Sequence, residues 1–172
     1  IDEFSLHAAA RVGDHYAVIP QSRGASVQMT GVRSNVVIHV PYGVEGFEAG
    51  DEVPALLTVP REELDRTVLI AGVFDPALEK LMEIAMQSGV RVRTGNFSGL
   101  SGLLLLLKGA CHAVCITDDA DLAVLGDLPI VVRQLSDMAK LVCRAETADD
   151  PLMQKLFLVM DSSEFRNRRS QS

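Results

Sequence analysis

The continuous apolar run Val68-Leu69-Ile70-Ala71-Gly72-Val73, followed by Asp75-Pro76, limits what the later part of this chain can become. A run without a polar interruption has no wet face, so it reads as a strand buried on both sides, as in a parallel sheet covered by helices. Asp75 is a good N-cap residue, and Pro76 fits the first helical position. Leu78, Leu81, Met82, Ile84 and Ala85 then recur at helical spacing, and Ser88-Gly89 supplies the stop. A second strand is expected over residues 90–94, a helix of leucines over 103–108 closed by Gly109, and a third strand over 113–117. Strand, helix, strand, helix, strand is the order that a parallel sheet with crossover helices requires. Further strands are expected at 130–133 and 140–144. Asp149-Asp150-Pro151 repeats the cap-and-proline device before a last helix with Leu152, Leu156, Val159 and Met160 on one stripe. The basic end, Arg166-Asn167-Arg168-Arg169, reads as a frayed tail.

Residues 1–59 keep a different rhythm. Gly13-Asp14, Pro20 to Ser26, Arg33-Ser34-Asn35, Gly43, Gly46 and Gly50-Asp51 are turn signals, with short apolar runs between them. Strands are expected at 16–19, 26–30, 36–40 and 53–59, with Pro54 marking an edge or a later start. Residues 5–11, rich in alanine, read as a short helix. The expectation is α+β overall, with a small β-barrel over 1–60, a charged linker over 61–66 and a three-layer α/β lobe over 67–172.

The formal charge of −7 leaves no basic stripe for a nucleic-acid backbone, and the most apolar run, Leu103 to Leu107, is far too short to span a bilayer. Three cysteines, an odd count, do not read as a disulfide framework and point to a reducing cytoplasm. Cys111, His112 and Cys115 raise a metal site, but their spacing reads better as a helix end entering a buried strand. Asp118, Asp119 and Asp121 read as a solvated acidic turn before a cation site, which needs six or more oxygens. His112 and the aspartates also allow a small enzyme, the weakest reading, since no G-x-S-x-G elbow accompanies them.

Two loops carry the candidate site. One, 72–76, holds Asp75; the other, 94–102, holds Thr94, Asn96, Ser98, Gly99, Ser101 and Gly102. In a doubly wound sheet both lie at the carboxyl ends of adjacent strands, where ligands bind. Backbone N–H groups at the start of the leucine helix, with the hydroxyls, would suit a small oxyanion. Read without a ligand, which these residue types alone permit, Ser98 and Ser101 are helix caps and the glycines are turns, and the Asp75 carboxylate itself occupies a helix's positive end.

The first sixty residues resemble the C-terminal β domain of the molybdopterin molybdenumtransferase (MoeA/gephyrin) family, through Arg23-Gly24-Ala25-Ser26, Ser34-Asn35 with its apolar run, and Glu48-Ala49-Gly50-Asp51-Glu52-Val53. The later part resembles one lobe of a type II periplasmic-binding-protein-like module that some members carry. Phe74-Asp75-Pro76-Ala77-Leu78, the Ser98 to Gly102 loop, the stretch from Gly109 to Val114, Asp150-Pro151-Leu152 and the stretch from Ser162 to Arg166 carry that likeness. A second lobe would need another domain's worth of residues between Asp118 and Pro129. The family's catalytic core lies in domains that precede this one, so the resemblance implies a non-catalytic region here, with molybdate or a molybdopterin precursor as the ligand open to it. Its implied partners are upstream molybdopterin-binding domains or a homologous chain, with a homodimer expected. The opening Ile1-Asp2-Glu3-Phe4, without a methionine, reads as a fragment of a longer protein.

Overall fold

In the computed structural model, which describes residues 3–20, 35–40 and 51–170, the chain is mixed α/β with two sheets. The first sheet holds β1 (Glu3–Val12), β2 (His15–Pro20), β3 (Val36–Val40) and β4 (Ala55–Leu57) in the order β2-β1-β3-β4, every neighbouring pair antiparallel. Gly13, at φ +66°, turns β1 into β2, since a positive φ suits the twist of a tight hairpin.

Two expectations are corrected here. Residues 5–11 are strand, not helix: alanine favours helix, but β1 pairs on both edges, and Ala8, Ala9 and Ala10 are all buried, so tertiary pairing overrides propensity. The barrel is also absent: among the described residues the four strands form an open sheet with no closing pair. β4 begins one residue after Pro54 and lies at the sheet edge. The strand expected at 26–30, most turn signals over 20–50, and the Arg23 to Ser26, Ser34 and Glu48 to Gly50 likenesses fall outside the described residues.

The second sheet holds β5 (Thr67–Gly72), β6 (Arg91–Asn96), β7 (Ala113–Ile116), β8 (Ile130–Gln134) and β9 (Lys140–Arg144), in the order β6-β5-β7-β9-β8. β5 runs parallel to β6 and β7, and β9 runs antiparallel to both β7 and β8. The crossovers are α2 (Pro76–Gln87) and α3 (Gly99–Leu107); α1 (Arg61–Leu64) precedes them. A 3-10 helix spans Asp119–Leu125, and α4 (Ala145–Ala148), α5 (Pro151–Asp161) and α6 (Ser163–Arg169) complete the chain.

β5 is buried along its whole length, and its two faces feed two cores. Val68 and Ile70 pack with Leu81 of α2, Met153 and Leu156 of α5, and Phe165 of α6. Leu69 and Ala71 pack with Leu103 and Leu106 of α3 and with Ala8, Ala10 and Ile19 of the first sheet. One face of the second sheet is thus covered by helices, and the other by α3 together with the first sheet.

The stretch 61–66, read as a linker, contains α1 with Leu64 buried against Ala9 and Val36, while Glu63 pairs with Arg91 at 2.8 Å. The basic end is not frayed. α6 is capped by Ser162, Phe165 is fully buried, and Arg169 lies over the Phe165 ring and donates to the Leu135 carbonyl. One buried aromatic explains the order, because burying such a side chain is worth about 1.5–3 kcal/mol. Among the described residues no helix is long and apolar enough to cross a membrane.

Candidate functional site

The two loops meet as their strand positions dictate. Gly72 ends β5 beside Asn96 of β6, so residues 73–76 and 97–99 leave the same edge of the sheet. A cavity of about 20 Å³ opens between them, lined by Gly72, Val73, Phe74, Leu78, Thr94 and Asn96 among others. That is room for about one water molecule.

Asp75 is buried and fully engaged. Its Oδ1 accepts from the Ala77 N–H at 2.9 Å and caps α2, while its Oδ2 accepts from Ser136 Oγ at 3.1 Å. Ser136 Oγ in turn accepts from the N–H groups of Met138 and Ala139. The carboxylate therefore ties the start of α2 to the β8–β9 turn. Sequence reasoning found the cap but not Ser136, which lies 61 residues away and carries no local signal.

Ser98 caps α3, its Oγ accepting from the Ser101 N–H at 3.1 Å, so the helix begins at Gly99 and not at Leu103. The leucine run marked only the second half of the helix; the cap, five residues before Leu103, set its start. Asn96, Ser98 and Ser101 are exposed along this edge, Thr94 is half-buried, and Gly99 and Gly102 are buried.

The glycines serve close packing. A Cβ on Gly102 would lie 3.0 Å from the Gly72 Cα, and one on Gly72, at φ +109°, would lie 2.2 Å from the Cys115 carbonyl oxygen. α3 therefore rests on β5 backbone against backbone. A Cβ on Gly99 would meet Asp121 Oδ2 at 2.7 Å, so a carboxylate already stands beside the positive end of α3.

The acidic turn disperses into separate tasks. Asp118 caps the 3-10 helix, Asp119 pairs with Lys140 at 2.8 Å, and Asp121 faces Gly99. Among the described residues no three His, Cys, Asp or Glu side chains gather to hold a metal. Cys111, Cys115 and Cys143 are buried and free, and burial pushes their thiols up to about 12, about 12 and about 11. Thiols so raised are poor nucleophiles at neutral pH.

His112 lies away from this edge, buried between the sheets. Its Nδ1 accepts from the Leu69 N–H at 2.9 Å, and burial lowers its pKa to about 4. It acts as a neutral structural group, with no substrate-facing nitrogen. Arg144, which sequence reasoning passed over, donates to the Leu106 and Leu107 carbonyls at 3.1 and 2.6 Å and satisfies the last turn of α3.

Beside these polar groups, Phe74 of the first loop and Leu100, Leu104 and Leu107 along α3 are exposed. Compared with protein-family models, curated proteins and solved structures, the chain gives no match.

Proposed function

We propose that this chain is a non-catalytic accessory region of a molybdenum-cofactor biosynthesis protein of the MoeA/gephyrin type, acting in the cytoplasm, and that its α/β lobe serves assembly more than ligand capture. The observation that carries the assembly reading is the state of the loop edge. Asp75 is spent on Ala77 and Ser136, Ser98 is spent on Ser101, and Asp121 stands against Gly99 where an oxyanion would sit. An anion there would face a fixed carboxylate, whereas Phe74, Leu100, Leu104 and Leu107 offer apolar area to a partner. The strand order supports the likeness to a single binding lobe: β6, β5 and β7 run parallel with the antiparallel β9 beside them, and the short 3-10 segment, where a second lobe would be inserted, leads to the outer strand β8. The partner is upstream molybdopterin-binding domains or a second copy of the chain.

A second reading keeps the edge as a binding site for molybdate, a similar oxyanion or a molybdopterin precursor. The exposed Asn96, Ser98 and Ser101 at the start of α3 favour it. A thermal-shift series with molybdate, tungstate, sulfate and nucleotides separates the two, because a ligand that favours the folded state raises its melting point. No shift at millimolar ligand, with a dimer by light scattering, supports assembly. A molybdate shift abolished by Ser98→Ala with Ser101→Ala supports the second reading and overturns the first.

A further inference from the structure

The two edges of the second sheet differ in how they are protected. β6, at one edge, carries Arg91 and Arg93 on either side of Val92, and a Cβ on its Gly95 would meet Ile19 Cδ1 of the first sheet at 2.7 Å. Charge and cover are how edge strands avoid pairing with another chain. β8, at the other edge, pairs among the described residues with β9 alone. Ile130, Val131 and Val132 make it apolar on both faces, and residues 130–134 contain no proline, glycine or lysine.

The ends of β8 fix which backbone groups are free. The Pro129 carbonyl accepts from the Ala145 N–H at 2.9 Å, and the Leu135 N–H donates to the Ala139 carbonyl at 3.0 Å. Both pairs continue the register of β8 on β9. Antiparallel ladders alternate, so Pro129, Val131, Arg133 and Leu135 turn their backbone groups toward β9. Ile130, Val132 and Gln134 turn theirs outward, where no described residue bonds them.

We propose that β8 pairs antiparallel with β8 of a second copy about a twofold axis at Val132, so that the sheet continues across a homodimer. Three outward residues at even spacing complement their own reverse. Val132 meets the same residue of the second copy, and Ile130 meets the partner's Gln134. Every outward N–H then finds an outward carbonyl, whereas any other register leaves outward groups over or sets them against inward ones. Val131 falls opposite the partner's Arg133. The Arg133 guanidinium is the strand's one charge, and Asp161 holds it at 2.5 Å over the Phe157 ring, so no like charges are set face to face. Asp161 and Phe157 belong to α5, whose Leu158 is 70% exposed. A sheet continued through β8 brings the two α5 helices toward the axis and covers that leucine, as an isologous interface requires of a self-complementary patch. This edge is a different surface from the Phe74 and α3 face given to the partner above.

Sedimentation of the full chain over a concentration series is expected to show a reversible dimer. Val132→Pro removes an outward N–H without touching the β9 ladder and is expected to weaken the dimer about tenfold or more. Val132→Lys keeps the backbone, sets like charges at the axis and is expected to do the same. Leu104→Glu on α3 is expected to leave the dimer unchanged. Register is read with a short bifunctional thiol reagent, since the native cysteines are buried. Val132→Cys, about 5.5 Å from its counterpart between Cα atoms, is expected to cross-link. Gln134→Cys, roughly 13 Å along the strand from its own counterpart, is not. A monomer up to millimolar chain, an undiminished dimer in both the Val132→Pro and Val132→Lys chains, or equal cross-linking of the two cysteine variants overturns the pairing. A dimer lost only in Leu104→Glu belongs to the α3 face, which upholds the assembly reading and overturns this one.

Discussion

The Asn35 side chain hydrogen-bonds both backbone groups of Ala9, accepting from its N–H at 2.7 Å and donating to its carbonyl at 2.8 Å. The β1–β3 ladder ends at the His7–Val36 pair, and the Asn35 amide takes the place of the next backbone pairing. Asn35 is 0% exposed and Ala9 2%, so water is no substitute. Asn35→Ala leaves two buried backbone groups without partners, and at about 1–3 kcal/mol each the loss should be roughly 2–6 kcal/mol. Asn35→Asp should do no better at neutral pH, because a carboxylate opposes the Ala9 carbonyl. Urea unfolding measures both; a loss under about 0.5 kcal/mol for the alanine variant would refute this account.

Contact between Gly72 and Gly102 predicts an ordered pair of effects. Gly72→Ala meets a carbonyl oxygen and a positive φ together, so it should cost more than about 3 kcal/mol or prevent folding. Gly102→Ala meets Val114 Cγ1 at 2.7 Å and the Gly72 backbone, and should cost about 1–3 kcal/mol as α3 lifts from β5. Melting temperatures in that order support backbone packing as the role of these glycines. A neutral Gly102→Ala would show that α3 has slack here.

Asp75 caps α2 and holds Ser136, which separates two substitutions. Asp75→Ala removes both bonds and should cost about 1–3 kcal/mol. Asp75→Asn keeps an acceptor for Ala77 and offers Ser136 an amide, so it should lose less than half as much. Ser136→Ala should soften only the β8–β9 turn, seen as faster amide exchange at Met138 and Ala139. Equal losses for Asp75→Asn and Asp75→Ala would mean that charge, and not the hydrogen-bond pattern, is what α2 needs.

The burial of neutral His112 links stability to pH. Its pKa falls from 6.5 to about 4 on folding because burial disfavours the cation. Between those values the unfolded chain binds the extra proton, so stability rises with pH: the contribution is complete above about 6.5 and is lost as pH falls toward about 4. At 1.36 kcal/mol per pH unit the loss amounts to roughly 3 kcal/mol. Urea unfolding across this range should show that slope, and His112→Gln should remove most of it. A wild-type stability flat from about pH 6.5 to 4.5 would mean that His112 is not held neutral.

Much of the second sheet was legible because its signals are local. The run at 68–73 announced a strand buried on both faces, and Asp75-Pro76 and Asp150-Pro151 announced helix starts that the structure places at those residues. Each such signal depends on a residue and its near neighbours, so periodicity and cap chemistry suffice. The residues at the ends of β5 and β6 were also correctly placed together, since parallel strands with short crossovers bring their carboxyl ends to one edge. What the amino acids alone could not decide was which partner each polar group would find. Asp75 and Ser136, Asn35 and Ala9, and His112 and Leu69 are separated by 61, 26 and 43 residues, and nothing near any of them in the chain names the other. The same distance effect turned the alanines of residues 5–11 from an expected helix into a central strand. Local propensity is worth a few tenths of a kcal/mol per residue, and pairing on two edges with burial on both faces outweighs it. Tertiary structure alone decided that the loop with the most binding-like composition would set Gly102 against the β5 backbone and Gly99 against Asp121, with Ser98 spent on a cap.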